Sequence, residues 1–186
     1  MKKIALLFIL LIFIQGCSNS SNNIKITNIK ENLNIQERGL KMKIISSNFN
    51  NNGDIPSKFT CQGQNIRPNL KWSDFPNETK SFAISVIDPD APVGNFVHWL
   101  IYNIPLSVTE LKEGLEIPES SIEVINDAGK KNFIGPCPPS GKHRYFFKVY
   151  ALNVKELNNI NSNNFIEKVE ENSIASAEII GLYQKK

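Results

Sequence analysis

Between residues 40 and 186 the apolar side chains fall in runs of five to eight residues, and a turn former stands between one run and the next. Met42–Phe49, Phe82–Ile87, Val97–Tyr102, Tyr145–Leu152 and Ile179–Tyr183 are rich in β-branched and aromatic residues, which pack well on a pleated surface. Runs of this length and composition read as strands. Asn52-Gly53, Asp54-Ile55-Pro56, Phe75-Pro76-Asn77, Asp88-Pro89-Asp90 and Gly135-Pro136 are the punctuation between them. The expected fold is therefore mainly β, a sandwich with a few short peripheral helices. One helix is expected over Asn163–Ser176, where Phe165, Ile166, Val169 and Ile174 supply an apolar side, and a shorter one near Val108–Lys112. The segment is long enough for one domain with its own core, and no internal repeat is visible.

The amino terminus is a different kind of sequence. Lys2 and Lys3 precede an unbroken apolar run from Ile4 to Ile14, too short to span a bilayer and matched to the core of a secretory signal peptide. The four residues Ile14-Gln15-Gly16-Cys17 resemble the lipobox of bacterial lipoproteins. That resemblance implies cleavage after Gly16 and a diacylglycerol thioether on Cys17, usually with a further acyl chain on the new amino terminus. Several chains anchor stably where one is reversible. The expected organisation is a signal peptide at 1–16, a lipid-anchored tether at 17–39 and a folded domain at 40–186. The tether opens Ser-Asn-Ser-Ser-Asn-Asn and lacks sustained periodicity. Such a protein is exported and membrane-anchored, facing the periplasm or the cell surface. Loss of Lys2 and Lys3 leaves 19 basic against 18 acidic residues, a balance that argues against a nucleic-acid partner.

The chain has only two histidines, His98 and His143, and each lies in a block dense in Pro, Gly, Asp and aromatic residues. The first block carries Asp88-Pro89-Asp90-Ala91-Pro92 and then His98-Trp99-Leu100-Ile101-Tyr102-Asn103-Ile104-Pro105. The second carries Gly135-Pro136-Cys137-Pro138-Pro139 and His143-Arg144-Tyr145. These motifs, with Phe59-Thr60-Cys61-Gln62-Gly63, Leu70-Lys71-Trp72 and the closing Glu178–Tyr183 segment, resemble the phosphatidylethanolamine-binding protein family. The resemblance is closer to its bacterial and archaeal branch, the Raf kinase inhibitor-like proteins. It implies a two-sheet sandwich of Greek-key topology with a small pocket at one end for phosphate-like anions and phospholipid head groups. Carried across residue by residue, the pocket wall is Asp88, Ala91, Pro92, His98, Gly135, Pro138, His143 and Tyr145. A histidine that many relatives place before the last strand is replaced here by Asn172 or Ser173.

The residues make chemical sense of such a pocket. His98, His143 and Tyr145 supply hydrogen-bond donors to an anion. Gly135 lets a backbone N–H approach a ligand closely. Pro136, Pro138 and Pro139 stiffen the loop so that little ordering entropy is lost on binding. Asp88 is expected to accept from an imidazole N–H, that of His98, and so set its tautomer. Asp90 either joins the site or closes the turn as an Asx cap. Arg144 is expected to pair with a carboxylate such as Asp90 or to cap loop carbonyls, and Trp72 and Trp99 to pack in the core.

With Cys17 assigned to lipid, Cys61 and Cys137 remain, and in an exported protein a disulfide is the first reading. On the loop-entropy model a bridge of that span stabilises by about 4 kcal/mol. The other readings are a Cys137 thiolate activated by His143 in a hydrolase, or two free structural thiols. No metal is expected, because the two histidines lack the local ligand spacing of zinc sites, and no cofactor is expected because phosphate-binding glycine loops are absent. Three functional classes follow: a non-catalytic module for a phosphate or phosphoethanolamine-type ligand, an inhibitor of a protease or signalling partner, and a Cys-His hydrolase. The motifs favour the first.

Overall fold

The computed structural model describes residues 41–186; the expected signal peptide and tether, with Cys17, lie outside the described residues. The elements in chain order are β1 (Lys43–Ile45), β2 (Gly53–Asp54), a 3-10 turn (Ser57–Phe59), β3 (Leu70–Ser73), β4 (Ser81–Asp88), β5 (Phe96–Pro105), β6 (Glu110–Leu111), β7 (Ile122–Glu123), β8 (Lys142–Leu152), α1 (Phe165–Asn172) and β9 (Ser173–Gln184). They build a three-stranded sheet, β1-β3-β6, and a six-stranded sheet, β2-β9-β8-β4-β5-β7. Every pairing is antiparallel except that of β2 with β9. Within the larger sheet the order β8-β4-β5-β7 returns the last element to the side of the first, which is the Greek-key order.

The main core lies between the sheets. Ile44, Leu70, Trp72 and Leu111 from the small sheet meet Phe82, Ile84, Val86, Trp99, Phe147 and Val149 from the large one. The opposite face of the large sheet is covered at one end by α1, whose Phe165 and Val169 stand one turn apart on one side and pack on Ala83, Leu100, Tyr150 and Leu152. β4 is thus covered on both faces, which is why its sequence reads as a nearly continuous apolar run. Truncating Phe82 or Phe147 to alanine would cost about 3–5 kcal/mol.

The mainly β class and two sheets match the sequence expectation, while the short elements differ from it. Among the described residues there is one α-helix and one 3-10 turn rather than several helices. Residues Val108–Lys112 form no helix: Glu110–Leu111 is a strand paired with β3. Apolar residues three apart fit either structure over so short a stretch. The helix expected over Asn163–Ser176 stops at Asn172, because Ser173 turns extended and opens the twelve-residue strand β9. Of Met42–Phe49 only Lys43–Ile45 pairs with a neighbouring strand.

Candidate functional site

The interior face of the large sheet runs out of core at one end, and its last inward positions are polar. Asp88 closes β4, in step with the core residue Val86. His143 and Tyr145 open β8, in step with Phe147 and Val149. His98 reaches the same face by an irregularity. Val86 pairs with Trp99 but Ile87 pairs with Val97, so His98 is the extra residue of a β-bulge. The bulge allows His98 and Trp99, adjacent in sequence, both to turn inward. Periodicity alone assigns them to opposite faces.

These side chains and the loop before β8 enclose a cavity of about 290 Å3. All eight residues expected in the wall line it, and Val93, Phe96, Ile134, Cys137 and Pro139 line it as well. Phe96 was legible in principle, lying two residues before His98 on one strand; Ile134 adjoins Gly135. The loop is tied down by a disulfide between Cys61 and Cys137, with Cα atoms 5.4 Å apart, and by the Cys61 N–H donating to the Pro136 carbonyl at 3.1 Å. A Cys137 sulfur held in this disulfide is not a thiolate.

Asp88, His98, His143 and Tyr145 are all buried, with exposures of 3%, 5%, 7% and 0%. The Asp88 carboxylate serves a different histidine from the one expected. Its Oδ2 accepts from Nδ1 of His143 at 2.7 Å, and its Oδ1 accepts from the Asp90 N–H at 2.8 Å. His98 instead donates from Nδ1 to the Ile134 carbonyl at 2.9 Å, and its backbone carbonyl accepts the Ile134 N–H. The reason is the bulge, which hands His98 to the loop before β8 while β8 itself brings His143 to Asp88. Burial holds His98 below the ordinary histidine range; the Ile134 carbonyl, Asp88 and Asp127 oppose that and His143 reinforces it.

Tyr145 is the unspent group. Its hydroxyl is buried and makes no hydrogen bond of good geometry; burial, then the charge and hydrogen-bonding reach of the Asp88 carboxylate, push it up so that it keeps its proton. Its ring meets that of His98 edge to face at 5.1 Å, and His98 meets Phe96 likewise at 5.0 Å.

Gly135 has another role than the one read from sequence. Its N–H donates to Asn65 Oδ1 at 2.7 Å and is not free for a ligand. A Cβ there would stand 2.2 Å from the Phe59 carbonyl oxygen and 2.8 Å from Thr60 Cα, so glycine is required by backbone packing. Asp90 is not the turn cap; Asp88 is. Asp90 takes the Arg144 guanidinium at 2.7 and 2.9 Å and the Arg144 N–H at 2.9 Å, which draws its carboxyl down to about 2. Trp72 and Trp99 are core residues, as expected. No group of three or more His, Cys, Asp or Glu among the described residues is arranged to hold a metal.

Comparison with known proteins places this geometry. Residues 45–184 match the family model described as phosphatidylethanolamine-binding protein. A UPF0098 protein of Methanothermobacter thermautotrophicus is 42% identical over 150 residues, covering 77% of this chain and 99% of the relative. One of Aquifex aeolicus is 43% identical, covering 79% and 91%. Among solved structures, Escherichia coli YbcL, described as a member of the mammalian PEBP family, superposes with a TM-score of 0.74 at 34% identity, over 78% of this chain and 99% of that one. A homologue from Chlamydia trachomatis superposes at 0.73 with 37% identity, over 79% and 99%.

Proposed function

This chain belongs to the phosphatidylethanolamine-binding protein family, and from that premise we propose that its cavity binds a phosphate-type anion or the phosphoryl head group of a phospholipid, without catalysis. The observation that carries the reading is the buried, unpartnered Tyr145 hydroxyl between two buried histidines. A buried donor left unpaired costs about 1–3 kcal/mol, and a ligand oxygen recovers that cost. Tyr145 is a permanent donor. His143, its Nδ1 engaged by Asp88, presents Nε2, a donor whenever the ring is charged.

Size supports a head group over a whole lipid, since about 290 Å3 is at the bottom of the roughly 300–1,000 Å3 range of small-molecule sites. The apolar wall of Ala91, Pro92, Phe96 and Pro138 excludes water and strengthens each polar contact. The lipobox-like Ile14-Gln15-Gly16-Cys17 extends the reading: a lipid on Cys17 would hold the domain at the membrane from which such a head group comes.

Native mass spectrometry of protein purified without phosphate, then titrated with phosphate and phosphoethanolamine lipids, tests the proposal. Adducts in the parent protein that disappear in His98→Ala and His143→Ala variants are expected. Adducts of equal abundance in all three proteins would remove the cavity from the account.

A further inference from the structure

The inference rests on the anion-site reading above and concerns the hydrogen content of the ligand. Nδ1 of His98 lies 2.9 Å from the Ile134 carbonyl oxygen. A carbonyl can only accept, so Nδ1 carries the proton, and in the neutral ring Nε2 is left with a lone pair. From β8, Tyr145 presents the opposite kind of group, a hydroxyl donor that makes no hydrogen bond of good geometry, the Asp88 carboxylate near it being held by His143 and the Asp90 N–H. The cavity therefore offers an acceptor and a donor side by side, and a bare anion satisfies only the second.

The charges around His98 come from every element packed on it. Asp88 faces it from β4, its carboxylate already engaged by His143 and the Asp90 N–H. His143 and Tyr145 face it from β8. Asp127, in the loop before β8, holds the Val97 N–H, and Phe96 on the same strand contributes only a ring edge. The guanidinium of Arg144 is turned outward onto Asp90. Burial keeps the His98 ring in its neutral form near neutral pH. A dianion would thus enter a cavity whose wall holds the Asp88 carboxylate and no arginine.

We propose that the cavity selects a singly charged oxyanion that brings a donor hydrogen of its own, this hydrogen going to Nε2 of His98 while an ionised oxygen accepts from Tyr145. The P–OH of an acid phosphate and the ammonium of a phosphoethanolamine head group share this chemistry. A diester anion without such a hydrogen leaves Nε2 unpaired, and His98 is thereby the specificity-determining residue.

The full chain, held in a phosphate-free, non-ionic detergent at about pH 6.5, is titrated calorimetrically with inorganic phosphate, glycerophosphoethanolamine and dimethyl phosphate, the last a monoanion without a donor hydrogen. At least one of the first two binds roughly ten- to a hundredfold more tightly than dimethyl phosphate, the factor carried by one hydrogen bond to a charged partner. Which one does so separates an acid phosphate from a lipid head group. In His98→Gln, whose amide can turn an N–H to the ligand, the discrimination shrinks. Nitrogen NMR of labelled histidine rings in the unsubstituted, ligand-saturated protein reads the same point directly: Nε2 of His98 keeps the signature of an unprotonated ring nitrogen. Equal binding of dimethyl phosphate, or a protonated Nε2 in the complex, overturns this proposal while leaving the anion site standing. No binding of any of the three overturns both.

Discussion

Two hollows lie at opposite ends of β4, β5 and β8, and the larger is the less interesting. It has a volume of about 670 Å3 and is lined by Thr79, Lys80, Asn103, Leu106, Ile122 and Lys155 among others. The smaller, of about 290 Å3, is lined by the two histidines and Tyr145. In the larger hollow the buried polar groups are spent on the protein itself. The Thr79 hydroxyl donates to the Pro76 carbonyl at 2.6 Å, and the Asn103 amide both accepts from and donates to the Leu157 backbone. Lys80 and Lys155 are exposed and keep their hydration. In the smaller, a fully buried hydroxyl has nothing to bond. Among the described residues three buried groups lack a partner, Trp72 Nε1, Ser121 Oγ and the Tyr145 hydroxyl, and only Tyr145 lines a cavity together with other potential donors. Since buried polar groups are nearly always paired, that combination marks a ligand site better than volume does.

The contrast can be broken or sharpened by substitution. The largest effect is expected from replacing Cys61 and Cys137 together with serine, because a bridge spanning 76 positions restricts the unfolded chain and ties down the loop of the small cavity. Chemical denaturation should show a loss of about 4 kcal/mol, with weaker anion binding. Gly135→Ala comes next, at about 3 kcal/mol, since the new Cβ meets the backbone of Phe59 and Thr60 rather than a side chain able to move. Tyr145→Phe should split binding from stability. Anion affinity falls by about 1.5–3 kcal/mol, while the ligand-free protein is no less stable, because an unpaired buried hydroxyl has been removed. A parallel loss of both would mean the hydroxyl has a structural partner. At the other end, Lys80→Ala with Lys155→Ala should change anion affinity by less than about 0.5 kcal/mol.

A further, modest effect concerns the outer rim of the small cavity and is read in stability. The Asp90 carboxyl is held down at about 2, first by its hydrogen bonds from the Arg144 side chain. A depressed carboxyl contributes stability above its unfolded value, about 3.9, and loses it as pH falls through the folded value. The loss therefore falls between about pH 4 and 2. With Arg144 half exposed, it should amount to less than about 1 kcal/mol. Stability measured against pH should show a shallower acid limb in Asp90→Asn than in the parent protein.

How far this was readable beforehand depends on the distance over which the information lies. The strand-forming runs and the family motifs are local, and they point to the mainly β class and to the eight wall residues that the structure brings to one cavity. Which histidine Asp88 serves is not local. Asp88 stands ten positions from His98 and fifty-five from His143, yet β4 lies between β5 and β8, and a one-residue bulge sends His98 to Ile134. Nothing in residues 86–99 announces that bulge. Gly135 is a similar case: glycine in a proline-rich loop suggests ligand access, whereas the need comes from Phe59 and Thr60 behind it. The Arg144–Asp90 pair was legible because one strong cation stood beside the site with one carboxylate uncommitted.

The most direct test of the central claim is an NMR titration of the full chain with phosphate, followed at both ends of the sheet. Resonances of His98, His143 and Tyr145 should shift together to a saturating limit, while those of Thr79, Lys80 and Asn103 stay in place. Shifts confined to the larger hollow, or spread evenly over exposed lysines with none at Tyr145, would contradict the account.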